Sequence, residues 1–134
     1  MSHVLCFDFG TKSIGVAIGN TLIHSAQPLP ALSAQAGQPQ WNKIALLLEK
    51  WSPEHLIVGL PLNMDDTDNP TTVQARTFAN KLTGRFHIKA QLVDERLSTF
   101  EAKQRLKESK KSYTKGELDS LSACLILESW YAVL

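Results

Sequence analysis

Apolar and polar positions run along this chain in two rhythms, one of strands and one of helices. Val4-Leu5-Cys6 is a short apolar run bounded by turn residues, which predicts a buried strand. Val16-Ala17-Ile18 is a second such run ending at Gly19-Asn20, and Gly10 and Gly15 bracket the connection, which predicts a hairpin. Thr21 to Ala26 continues the pattern as a third antiparallel strand, stopped by Pro28 and Pro30. Ser33 to Gln38 reads as a small-residue loop. Pro39 then suits the first turn of a helix that carries Trp41, Ile44, Leu47, Leu48 and Trp51 at helical spacing and ends at Ser52-Pro53.

The second half alternates strand and helix. His55 to Leu60 is rich in β-formers and predicts a buried strand, followed by an acidic polar loop from Pro61 to Asn69. Asn69-Pro70 is a helix start, and Gly84 is placed to cap that helix. Ile88 to Val93 is the next strand and leads into Asp94-Glu95-Arg96. Ser98-Thr99-Phe100-Glu101 and Thr114-Lys115-Gly116-Glu117 are capping boxes, so two further helices are expected, the last running close to Leu134. Three strands followed by alternating helix and strand give an α/β fold, a mixed sheet with helices packed on it.

Length and composition narrow the class. A chain of 134 residues is one ordinary domain, so residues 1–134 are read as a single unit. It is 43% hydrophobic and 20% charged with a formal net charge of +1, so any attraction for a polyanion is local. Cys6 and Cys124 lie in apolar runs and read as core thiols, not a disulfide framework. Neither a signal peptide nor a membrane-spanning run is present, so a cytoplasmic protein is expected.

Three carboxylates carry the candidate chemistry. Asp8 sits inside an apolar strand on the pleat face of Val4 and Cys6, where a carboxylate is costly unless paired, hydrogen-bonded or bound to metal. It either caps the glycine turn through backbone amides or ligates a metal. Glu95 follows the last strand, where open α/β sheets gather their chemistry, and Asp94 should point the other way. Asp119 lines up with Ser122, Ala123, Ile126 and Trp130 on the core side of the last helix, while Glu117, Ser120, Cys124 and Glu128 mark a polar face. Asp119 alone is equally a helix N-terminal acid favoured by the macrodipole. Together, three mutually repelling carboxylates call for divalent cations, and hard oxygen ligands favour Mg²⁺ or Mn²⁺ over zinc.

From Lys103 to Lys115 six Lys/Arg stand against Glu108 alone, either a solvated helix end or a clamp for a phosphate backbone. Its middle reads as a mobile loop. Arg96 and Lys12 add positive charge near the proposed centre. Asp65-Asp66-Thr67-Asp68-Asn69 lacks the Gly and Glu of a calcium loop, and Val16-Ala17 stands where a Walker loop needs Lys-Ser/Thr. Trp41, Trp51 and Trp130 fall on apolar helix faces, so the sequence shows no stacking platform for bases.

Four segments carry a family resemblance: Asp8-Phe9-Gly10-Thr11-Lys12 with Gly15-Val16-Ala17, Val58 to Asp65, Val93 to Thr99, and Asp119 to Leu127. In this order and spacing they resemble the YqgF (RuvX-like) family of Holliday junction resolvases and pre-16S rRNA nucleases, within the RNase H-like superfamily. The resemblance implies a five-stranded mixed sheet flanked by helices. It implies that Asp8, Glu95 and Asp119 are the catalytic, metal-binding set. Gly10, Thr11, Lys12, Asn63, Arg96, Lys110, Lys111 and Lys115 are expected to contact substrate. Ser13 and Asp66 depart from it, standing where the family often has a basic residue and a glycine.

The expected function is metal-dependent hydrolysis of phosphodiester bonds in structured nucleic acid, with maturation of the 5′ end of precursor 16S rRNA placed first. Holliday junction resolution and a non-catalytic nucleic-acid or ribosome-assembly role are the alternatives. A phosphotransfer domain also uses Asp-x-Gly-Thr, but such enzymes close two domains over ATP. A monomer or weak homodimer is expected, the paired cuts of a resolvase favouring a dimer.

Overall fold

The structure, a computed structural model, describes residues 2–95, 104, 108 and 112–134. Their strands form one sheet built from β1 (His3–Asp8), β2 (Ser13–Asn20), β3 (Gln27–Gln35), β4 (Gln38–Pro39), β5 (His55–Leu60) and β6 (Ala90–Asp94). The order is β4-β3-β2-β1-β5-β6. The first four strands pair antiparallel and β5 and β6 add in parallel beside β1. The C-terminal ends of β1, β5 and β6 therefore share one edge with the β1–β2 turn. Helices α1 (Trp41–Trp51) and α2 (Pro70–Phe86) cover one face, and α3 (Lys115–Ala132) covers the other.

The two cores differ in kind. Leu5, Phe7 and Phe9 of the first strand and its turn point to the α1/α2 side, where Phe78, Ile44 and Leu82 meet them. Val4, Cys6, Ala17, Ile57 and Val93 point to α3, which presents Ala123, Cys124, Ile126, Leu127 and Trp130. This alternation along β1 is the period-2 pleat, and it sets Asp8 on the α3 side.

Four boundaries differ from expectation, each for a physical reason. The third strand lies at Gln27–Gln35, beyond Thr21–Ala26, and runs through both prolines. Asn20 Oδ1 accepts from Leu22 N–H and Ser25 Oγ accepts from Asn20 N–H, so short polar side chains hold residues 21–24 as a turn. Pro28 and Pro30 are tolerated because β4 pairs only with Ala34 and Gln35, leaving that part of β3 an edge. One extra residue on β3, at Pro30-Ala31 opposite Gly15, forms a bulge that suits a residue without an N–H.

The sheet has six strands where five were expected. Ala36 (φ 49°) and Gly37 (φ 80°) both adopt positive φ, making a two-residue hairpin turn of the expected loop, so Pro39 lies in β4. Helix α1 starts one residue past the Gln40 cap. Helix α2 passes through Gly84 to Phe86 and is capped by His87, at φ 60°, whose N–H reaches Thr83 O. The extra turn packs Phe86 against Trp41 and sets the Arg85 guanidinium 4.4 Å from the Trp41 ring centre. Those contacts offset the ~1 kcal/mol that an internal glycine costs. The next strand accordingly starts at Ala90. The helix expected from Ser98 lies outside the described residues.

Gly84 is exposed, and a Cβ there would meet no atom within 4 Å. Gly84→Ala is therefore expected to raise stability by about 0.5–1 kcal/mol, seen as a higher Tm, whereas a glycine acting as the left-handed cap would make the same change destabilising.

Candidate active site

Asp8 closes β1 and pairs across the ladder with Gly15 of β2. A Cβ on Gly15 would stand 2.0 Å from Asp119 O and 2.7 Å from Ser120 N, so α3 rests its backbone on that glycine. Val16 N–H, beside the bulge, donates to Ser120 Oγ across 3.1 Å. Together these contacts fix the second turn of α3 against the strand position opposite Asp8. The expected polar face of α3 is corrected here: Ser120 and Cys124 are buried at 1% and 7% exposure, because the glycine lets that side of the helix meet the sheet. The expected inward line holds at Ala123, Ile126 and Trp130, all buried, with half-buried Asp119 at its start.

Glu95 follows β6 directly and is half-buried. Val93 faces α3, so the strand pleat carries Asp94 to the opposite side, as expected. The buried Cys6 thiol responds to two of the candidate acids. Desolvation pushes its pKa well above the ordinary thiol value, and the charges of Asp8, then Cys124, then Glu95 push it further. Asp8 and Glu95 thus lie within electrostatic reach of one buried atom on the α3 side. Burial, then Glu128, raises Cys124 to about 12.

The turn beside Asp8 is clamped from the β3–β4 hairpin. Gly37 N–H donates to Thr11 O and Ala34 N–H to Lys12 O, each across 3.0 Å. A Cβ on Gly10 would stand 2.4 Å from Ser13 O, so only glycine fits there. The Lys12 side chain is exposed at this edge. Asn63 is tied into its own loop: its Nδ2 donates to Thr67 Oγ1, and its Oδ1 accepts from Asn69 Nδ2. Asp66 sits at φ 70°, in the left-handed region that favours glycine. Lys115 Nζ is 3.0 Å from Asp119 Oδ2, one helical turn away. Arg96, Lys110 and Lys111 lie outside the described residues, as does most of the basic segment.

The donor set suits a hard cation in chemistry, since all three candidate ligands are carboxylates on or beside one sheet edge. Among the described residues, no three His, Cys, Asp or Glu side chains form a group that could hold a metal ion. Asp119 is engaged by Lys115, so the ligand set would have to draw together on metal binding. Sequence reasoning missed Ser120, whose hydroxyl ties α3 to β2, and the role of Gly15. The pairing of an apolar strand's glycine with a serine on a distant helix leaves no local signal.

Comparison with known proteins places this geometry. Residues 2–132 match the family model described as RuvX, Holliday junction resolvase. A relative from Escherichia coli O157:H7, strain EC4115, is 54% identical over 130 residues, covering 96% of this chain and 94% of the relative. One from Shigella boydii serotype 18 is likewise 54% identical over 130 residues, with 96% and 94% covered. Both carry the name "Putative pre-16S rRNA nuclease". Among solved structures, Thermus thermophilus RuvC in complex with a Holliday junction substrate superposes with a TM-score of 0.60 at 14% identity, covering 99% of this chain and 96% of that one. The fowlpox virus Holliday junction resolvase gives 0.51 at 15% identity, covering 98% and 99%. At those identities the likeness concerns the fold, which is the RuvC-like, RNase H-like arrangement expected.

Both cysteines are buried and their thiol pKa values are raised, which leaves little thiolate at pH 8. Neither is expected to react with a thiol reagent at that pH in the folded protein, and both should react once denaturant unfolds it. Fast labelling of either under native conditions would contradict this packing.

Proposed function

Since this chain belongs to the RuvX family, we propose that it is a nuclease that cleaves precursor 16S rRNA near its 5′ end, using Asp8, Glu95 and Asp119 to hold Mg²⁺ or Mn²⁺. The observation that carries the reading is the contact of Asp119 with Gly15, which is paired to Asp8. The 54% identity to curated relatives bearing the nuclease name supports the substrate. Phosphodiester hydrolysis is the activity common to the family description and the relatives' name.

When bound, the divalent cation supplies Lewis acidity that activates water and offsets charge on phosphate oxygens. The chain supplies the rest. Asp8 anchors the set from the rigid centre of the sheet, and the hydrogen-bonded 10–12 turn keeps its backbone in place. Glu95 and Asp119 approach from β6 and α3. Lys12 and Arg96 offset charge on the reacting phosphate. Lys115, which neutralises Asp119 here, would contact a substrate phosphate, and Lys110 and Lys111 would hold flanking phosphates. Asn63 acts through the shape of the 61–69 loop, which its hydrogen bonds maintain.

A second reading, Holliday junction cleavage, has support in the family description and in the fold of the neighbouring resolvases. The deciding assay sets a precursor 16S rRNA 5′ end beside a four-way DNA junction, each with Mg²⁺, Mn²⁺ or chelator. Metal-dependent cutting of the RNA is expected. Asp8→Asn should reduce it by about 10²–10³-fold or more with an unchanged circular dichroism spectrum, on the scale of removing one electrostatic group from a reacting centre. Cutting of the junction alone would select the second reading, and undiminished cutting by a folded Asp8→Asn protein would remove Asp8 from the mechanism.

Lys115 adds a quantitative check. Loss of one phosphate contact should lower the slope of log K against log salt by about 0.7–0.9 for Lys115→Ala, depending on strandedness. An unchanged slope would confine Lys115 to its pairing with Asp119.

A further inference from the structure

Next to Asp119, between β3 and the start of α3, lies a groove of about 390 Å³ lined in part by Ser120. Pro28, Leu29, Pro30 and Ala31 form one wall, and Tyr113 and Leu121 stand on the side of the helix. Its position follows from two features already described. The bulge at Pro30-Ala31 shapes the strand wall opposite Gly15, and the Gly15 contact holds α3 against the neighbouring strand β2. At the base of the groove, Ser120 Oγ accepts from Val16 N–H, so this polar group is already satisfied and the walls are apolar. The Glu117 carboxylate accepts from Thr114 N–H within the helix cap.

We propose that this groove receives one unpaired nucleobase of the substrate, next to the phosphate that is cleaved. The inference rests on the nuclease reading above. Continuity with the acid site argues for this occupant. Ser120 lines the groove and adjoins Asp119, while Gly116 and Glu117 line it one turn earlier. A strand with its phosphate at Asp119 therefore has the groove within reach of a neighbouring nucleoside. Charge and shape agree with a nucleotide: the exposed Lys115 precedes Gly116 of the lining in the chain, while the walls are mainly proline, leucine and one tyrosine ring. A base offers a flat π-face to an aromatic ring, and such stacking tolerates every base identity. A base held in a duplex cannot enter a groove between a strand and a helix, so the site selects for unpaired or frayed nucleotides beside the cut.

The test is a chemical cycle on the full chain in chelator, where cleavage is off. Short fluorescent single strands of RNA and of DNA carry an abasic nucleotide at one position at a time, which keeps the phosphate and removes the base. One position should weaken binding by about tenfold for the wild type, the scale of one stacked base. Tyr113→Ala should bind the intact strand at that weaker level and lose the abasic effect at that position. Tyr113→Phe should behave as wild type. Leu121→Ser, on the same groove, repeats the cycle should Tyr113→Ala fail to fold. The proposal is overturned if no abasic position weakens binding, or if the abasic cost persists undiminished in a folded Tyr113→Ala or Leu121→Ser protein. Failure of the nuclease reading shows separately, as absence of metal-dependent cutting by the wild type.

Discussion

Everything at the acidic edge depends on how closely α3 lies on β2. Helix-to-sheet packing ordinarily leaves a layer of side chains between the backbones, and here that layer is missing at one point. Gly15 meets the carbonyl of Asp119, Gly19 meets Tyr131 and Leu127, and Gly59 meets the end of Ile126. The three contacts differ in tolerance. At Gly59 an added methyl would press on the flexible tip of an isoleucine, whereas at Gly15 it would strike backbone that can yield only if the helix moves. The Ser120–Val16 hydrogen bond then holds the helix in register along the strand. Distance and register together decide where Asp119 sits relative to Asp8.

The same contact organises the electrostatics. Carboxylates brought together at a sheet edge repel one another, and the cost must be met by cations, hydrogen bonds or solvent. The overall charge of +1 offers no general help, so the compensation has to be local. Lys115 supplies it at Asp119 from the preceding turn of the same helix, on a side chain exposed enough to let go. Surface ion pairs of this kind contribute little to stability, so Lys115 holds Asp119 only weakly. The buried Cys6 thiol responds to Asp8 and Glu95, and the Cys124 thiol to Glu128, without joining them, because burial keeps both protonated.

Much of this was legible in the sequence, and the failures have common causes. The strands β1, β2 and β5 announced themselves as apolar runs between turn residues, and the caps at Asn69 and Thr114 formed as their side chains require. Asp8 was conspicuous because an acid inside an apolar strand needs a reason. What escaped was set by partners distant in sequence. Pro28 and Pro30 looked like strand breakers because nothing local shows that the outer neighbour of β3 is only two residues long. Gly84 looked like a cap because the gain from Phe86 and Arg85 against Trp41 comes from another helix. Ser120 and Cys124 looked like a polar face because helical spacing does not reveal a glycine on the opposing strand.

The contrast between the two faces of the sheet explains why the chemistry gathers on one of them. On the α1/α2 side, Phe7 and Phe9 stand edge-on or tilted against Phe78, which also stacks with Trp41, and bulky rings fill the layer to its end. A carboxylate on that side would displace aromatic packing and lose its own hydration, with no polar partner to repay either. On the α3 side the layer is thin at the acidic edge, where Gly15 meets helix backbone, with the Trp130 and Tyr131 rings toward its far end. Side chains at the rim of a thin layer reach solvent within one residue of the core. An acid at Asp8, Asp119 or Glu95 can therefore be placed by a rigid core and still lie at the edge that meets solvent. The bulge at Pro30-Ala31 continues that logic outward: the strand that yields room for an apolar groove is the one with no long outer neighbour to hold it straight.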